Sequence, residues 1–128
     1  MNLLLDTHVL LWAAGQPEKL SAAAQALLLD TGHDLFFSPV SLWEVSIKRT
    51  LNRPDFRADP RRLWRMLVAN GYRELPVTSE HTVAVDSLPP LHKDPFDRLL
   101  LAQARIEGLE LATADRALSA YGDGIRLI

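Results

Sequence analysis

The chain has no cysteine, few glycines and no long apolar run, and each shortage removes a class of explanation. Without cysteine there are no disulfides and no thiolate metal sites, which fits a reducing compartment. Six glycines are scattered along 128 residues, and no glycine-rich phosphate loop is present. No hydrophobic stretch approaches the length of a membrane span. No basic segment precedes Leu3, and Asp6 and His8 interrupt the first apolar stretch. A secretory signal is therefore not expected, and the cytoplasm is the expected location. No serine sits in a nucleophile elbow, and no pair of the four histidines has zinc-ligand spacing.

What remains is the composition of an ordinary globule, 48% hydrophobic and 23% charged, with a length that suits one domain over 1–128. The net charge of −2 hides an uneven distribution. Between 48 and 65, seven basic residues face only Asp55 and Asp59, a net +5, and the rest of the chain carries −7. A solvated helical face explains such a segment, and so does a track for a phosphate backbone beside an acidic pole.

Short apolar runs alternate with helical patterns. Strands are expected at 2–5, 34–37, within 72–77, at 109–112 and at 125–128. Thr7 is expected to cap a helix over 8–15, and Ser21 one over 22–29. Ser38-Pro39 and Asp59-Pro60 each read as a cap followed by proline at the first helical position. They open helices reaching about Leu51 and Asn70-Gly71. Ser79 is expected to cap a helix closed by Pro89-Pro90. Asp94-Pro95 opens the strongest helix, 95–107, which stops at Gly108. A short helix is expected over 115–121. Alternation of this kind predicts an α/β fold with a mostly parallel sheet flanked by helices, and continuously apolar strand 2–5 belongs at its centre.

Four carboxylates recur near the strand ends or on the helices that follow them: Asp6, Glu44, Asp97 and Asp115. The carboxyl edge of a parallel sheet is where α/β proteins place their sites. Each acid also has an ordinary structural role open to it. Asp6 suits an N-cap, and Glu44 suits an i,i+4 pair with Lys48. Asp97 complements a helix dipole behind the capping Asp94, and Asp115 sits in a first turn behind Thr113. Acids brought together would repel each other unless a cation joined them, and hard oxygen ligands favour Mg²⁺ or Mn²⁺. The usual substrate of such a site carries phosphate. His8 and His92 flank the acids, whereas His33 and His81 are expected at the surface.

Leu4-Leu5-Asp6-Thr7-His8, Ser41-Leu42-Trp43-Glu44, the block from His92 to Ala104 containing Asp94-Pro95-Phe96-Asp97-Arg98, and Ala112-Thr113-Ala114-Asp115 together resemble the PIN-domain family, more closely its VapC-like toxin branch. The resemblance implies a PIN-like three-layer fold and a Mg²⁺- or Mn²⁺-dependent endoribonuclease of a toxin–antitoxin pair. It assigns Asp6, Glu44, Asp97 and Asp115 to metal binding and catalysis, with Thr7, Asp94 and Thr113 in support. It also implies a homodimer and a small cognate antitoxin, which is expected to bind near the acids, for instance through an Arg.

Lys48, Arg49 and Arg53 are candidates for RNA contacts. Trp43 and Trp64 suit base stacking, the core or a dimer interface that includes Leu42. The competing reading is a non-catalytic PIN-fold interaction domain, against which the complete set of acids counts. A Mg²⁺ phosphatase is disfavoured because Asp6-Thr7-His8 lacks a second acid two residues after the first.

Overall fold

The computed structural model describes residues 1–128. Strands β1 (Asn2–Leu5), β2 (Asp34–Phe37), β3 (Arg73–Glu74), β4 (Glu110–Thr113) and β5 (Ile125–Leu127) form one sheet in the order β3-β2-β1-β4-β5, and every pairing is parallel. Six α-helices connect them: α1 (Thr7–Gly15), α2 (Ala22–Leu29), α3 (Pro39–Thr50), α4 (Pro60–Ala69), α5 (Ser79–Ala84) and α6 (Pro95–Glu107). Short 3-10 segments occupy Pro17–Lys19, Val85–Ser87 and Arg116–Tyr121.

The central strand shows how the sequence builds two cores from one run of leucines. Successive side chains of a strand point to opposite faces. Leu3 and Leu5 enter one cluster with Val9 and Leu10 of α1, Val45 of α3 and Leu63 of α4. Leu4 enters the other with Leu100 and Leu101 of α6 and Leu111 of β4. All three leucines are fully buried. Each contributes roughly 2 kcal/mol through removal of apolar area from water, and Leu4→Ala is expected to cost about 3 kcal/mol because a cavity adds to the transfer loss.

Most boundaries agree with the sequence reading, and the departures have local causes. β4 begins at Glu110 rather than Leu109. Gly108 adopts the left-handed conformation at φ 71°, so the Leu109 N–H bonds back to Ala104 O at 2.8 Å and closes α6 instead of opening the strand. Thr78, not Ser79, caps α5. Its hydroxyl accepts from the His81 N–H, and His81 Nδ1 accepts from the Thr78 N–H at 3.0 Å, a reciprocal box that draws the imidazole inside. His81 is consequently 1% exposed rather than at the surface, and His33 is half-buried. α5 stops at Ala84, well before Pro89-Pro90, where the Arg98 guanidinium takes the carbonyls of Val85 and Leu88. The short helix expected over 115–121 is present as a 3-10 helix, Arg116–Tyr121.

Candidate metal centre

Strand order places β2 on one side of β1 and β4 on the other, so the chain winds outward in opposite directions from the β1–β4 junction. At such a junction the connections diverge and leave a crevice at the carboxyl ends of the strands. Asp6 leaves β1 here, and its backbone N–H still bonds to Ala112 O of β4 at 3.0 Å. Asp115 leaves β4 two residues beyond its end. Glu44 arrives from the second turn of α3, and Asp94 and Asp97 from the start of α6. The four predicted acids and Asp94 line one pocket of about 330 Å³, together with His8, Trp12, His92 and Ala114.

Asp6 serves two purposes. It is the N-cap of α1, accepting from the Val9 N–H at 2.9 Å, while its other oxygen accepts from the Thr113 hydroxyl. Burial raises its pKa to about 6; the bonds from Thr113 and Val9 and the nearby His8 pull the other way, and Glu44 adds to the rise. Thr7 is therefore the first helical residue and not the cap. Its hydroxyl is free to donate to Glu44 Oε1 at 2.6 Å. Likewise the 3-10 turn is capped by Asp115, which accepts from the Ala117 N–H, while Thr113 accepts from the Asp115 N–H and donates to Asp6.

Glu44 is 2% exposed, and its second oxygen accepts from Lys48 Nζ at 2.7 Å. The Lys48 ammonium lies 4.6 Å from the Phe56 ring centre and 5.6 Å from that of Phe96. A cation gains from the negative face of an aromatic ring, which helps to hold this one at the edge of the pocket.

Asp94 accepts from the Phe96 and Asp97 N–H groups as the cap of α6. Asp97 has no such donor. Burial first, then the charges of Asp94, Asp6, Glu44 and Asp115, push its carboxyl up to about 8. Asp115 moves the opposite way. Slight burial pushes it upward but is outweighed by the bonds from His92 and the Ala117 N–H, and its pKa lies below the ordinary value.

His92 is the residue that sequence reasoning underweighted. Its Nδ1 accepts from the Asp94 N–H at 3.1 Å, which leaves the proton of a neutral ring on Nε2. That nitrogen faces Asp115 at 3.1 Å and Asp97 at 3.9 Å. The only signal in the chain was its place two residues before a helix cap within the most specific block. His8, like His92, was read only as a flank of the acids, and Trp12 was harder to find, because an aromatic one turn on along an apolar helix reads as packing.

The three cations expected to meet RNA are not in the pocket lining. Lys48 is turned to Glu44, Arg49 lies 3.6 Å from Asp59, and Arg53 lies 3.9 Å from Asp55. Trp43 and Trp64 are not core residues, at 58% and 49% exposed; Trp43 stands edge-on to Phe96.

The family model of the PIN domain matches residues 3–124. The chain belongs to the PIN domain family. A curated relative of this PIN domain is Ribonuclease VapC22 of Mycobacterium tuberculosis (strain ATCC 25618 / H37Rv), 30% identical over 121 residues, 94% of this chain and 92% of the relative. Among solved structures, VapBC2 from Rickettsia felis bound to a DNA fragment from the promoter matches with a TM-score of 0.70 at 16% identity, covering 98% of this chain and 96% of that one. FitAcB from Neisseria gonorrhoeae matches with a TM-score of 0.67 at 17% identity, over 98% and 96%. At that identity the likeness concerns the fold. No helix of this PIN domain is long and apolar enough to cross a membrane.

The donor set suits a hard divalent cation. Its available ligands are carboxylate oxygens, and His92 is occupied as an N–H donor to Asp115. Asp6 and Asp97 are acids whose environment favours the protonated form, so a cation that displaces those protons would relieve the repulsion among them.

Proposed function

We propose that this chain is a single-domain, metal-dependent endoribonuclease, the toxin of a toxin–antitoxin pair, acting in the cytoplasm. The observation that carries the reading is the convergence of Asp6, Glu44, Asp97 and Asp115 on one pocket at the sheet's carboxyl edge. The 30% identity to a ribonuclease supports it. When bound, Mg²⁺ or Mn²⁺ supplies Lewis acidity, lowering the pKa of a water and neutralising charge on the phosphate. Asp6, Asp97 and Asp115 would hold the ion, with Glu44 at the pocket wall. Thr113 aims the Asp6 carboxylate, and Thr7 and Lys48 fix Glu44. His92 orients Asp115 and is placed to move a proton at Nε2. Asp94 acts through the backbone, by capping α6 so that Asp97 faces the pocket.

The exposed apolar residues Trp43, Trp64, Met66 and Val68 on α3 and α4 support pairing with a second copy or with a small antitoxin. An antitoxin Arg reaching the carboxylates would silence the site by charge-assisted hydrogen bonds. Purified protein should cut single-stranded RNA with Mn²⁺ and stop in EDTA, and expression without the partner should arrest growth. Intact RNA at saturating Mn²⁺, with no growth defect, would leave the non-catalytic interaction domain as the better reading.

A further inference from the structure

A second groove of about 440 Å³ adjoins the acidic pocket, and His8 and Trp12 line both. It runs between the end of α1 with its following turn and the 54–58 loop. Its two cations are Lys19 and Arg57, both exposed, and neither has an ion pair or a side-chain hydrogen bond. Arg49 and Arg53, the arginines first expected to meet RNA, are less available, because they face Asp59 and Asp55. Asp55 is the groove's one acid, and it is countered by His8 Nε2 at 3.4 Å as well as by Arg53. Trp12 is half-buried, its ring 5.8 Å from that of His8. Unpaired cations beside an aromatic wall are what a single-stranded nucleic acid needs, charges for its phosphates and a ring for a base.

We propose that this groove carries the RNA strand next to the scissile phosphate, with Lys19 and Arg57 on its phosphates and Trp12 stacked on a base. The proposal rests on the ribonuclease reading and adds the path of the substrate. An arginine-bearing peptide would be drawn to the carboxylates and repelled by Lys19 and Arg57, so the groove favours RNA as its occupant.

The test is fluorescence anisotropy of a labelled single-stranded RNA, with the protein in the Asp97→Asn background so that the strand is held and not cut. Each phosphate contact on a single strand contributes about 0.7 to the slope of log affinity against log salt. Lys19→Ala with Arg57→Ala should lower that slope by about 1.4, making the affinity lost between about 50 and about 200 mM salt roughly sevenfold smaller. Arg73→Ala, on the edge strand, is the charge control and should leave the slope unchanged. Trp12→Leu should weaken binding about tenfold, as loss of one stacked base does, and Trp12→Phe should retain most of it. A melting curve for each variant separates lost binding from lost folding.

An unchanged slope for the Lys19/Arg57 pair overturns the proposal. So does a slope that responds instead to Arg49→Ala with Arg53→Ala, which would send the strand along α3. Release of an acidic peptide (oligo-glutamate) by the groove pair, with RNA still bound, would make the groove a protein-docking site and also overturn it. If unsubstituted protein neither binds nor cuts RNA while Mn²⁺ still raises its melting temperature, the ribonuclease reading itself has failed. That result is distinct from groove variants that lose nothing in an active enzyme.

Discussion

Glu44 and Asp115 each accept a hydrogen bond from a basic side chain, Lys48 at 2.7 Å and His92 at 3.1 Å, whereas Asp6 and Asp97 accept none. The difference follows from where the chain places them. Glu44 rides a helix with Lys48 one turn later, and Asp115 lies on a loop that His92 can reach. Asp6 and Asp97 sit at the start of helices packed against the sheet, where Asp6 meets a backbone N–H and a hydroxyl and Asp97 meets only His92 Nε2, out of hydrogen-bond reach at 3.9 Å. Asp6 and Asp97 are also the pair that burial pushes up, to about 6 and about 8. One pair has a basic partner within the protein, and the other gains a positive partner only when a cation arrives.

Breaking the pair that lacks a basic partner should have the largest effect. Asp97→Asn keeps the shape and removes the charge, and RNA cleavage in Mn²⁺ should fall roughly a hundredfold or more, the scale of a lost metal ligand. Its stability should move the other way. The folded pKa of Asp97 lies above its unfolded value of 3.8, so its contribution to stability is fully present below pH 3.8 and is lost as pH rises through about 8. Metal-free wild type should therefore melt progressively lower between those limits, and Mn²⁺ should restore more at the alkaline end. Metal-free Asp97→Asn should melt higher than wild type at pH 8 and lose most of the Mn²⁺ response. A wild-type melting temperature flat with pH would remove the distinction between the two pairs.

Breaking a satisfied pair should cost stability first. Glu44→Gln leaves the Lys48 ammonium facing a neutral amide at 17% side-chain exposure, which should cost about 3 kcal/mol in urea unfolding. Adding Lys48→Met should recover much of that loss, because the stranded charge goes with it. If the double variant is as unstable as the single one, Lys48 does not act as the counter-ion of Glu44. A smaller change is expected from His92→Gln, which frees Asp115 without touching its charge; activity should fall about tenfold, as for other residues that orient a ligand. Smallest is Thr113→Val. Losing one hydroxyl donor should cost about 1 kcal/mol and let the Asp6 pKa rise further, which carboxyl NMR would follow.

Much of the fold was readable because its signals are local. Ser38-Pro39, Asp59-Pro60 and Asp94-Pro95 each opened the helix they were expected to open, and Gly108 ended α6. The errors were those of neighbouring candidates. Asp6 and Thr7 can both cap, as can Thr78 and Ser79, and nothing within a few residues separates the two candidates of either pair. Thr7 is drawn to Glu44, which leaves the Val9 N–H to Asp6. His81 looked exposed because a histidine in a short helix carries no sign of the box that buries it.

The same limit applied to the site. The acids could be named from strand ends and from a family resemblance, but the residues that tune them could not. His92 lies 23 positions from Asp115, and Thr113 lies 107 from Asp6. Trp12 and His8 join two cavities that exist only after α1 packs beside the 54–58 loop.

The sequence by itself determined which segments become strands and helices, because caps, prolines and apolar runs act within a few residues. It also determined that the leucines of β1 serve two cores, since alternation along a strand is fixed by backbone geometry. Only the tertiary structure decided which carboxylates share a pocket and which of them receive a proton donor. Those contacts span the whole chain, and burial and Coulomb interaction depend on distance in space rather than on position in sequence.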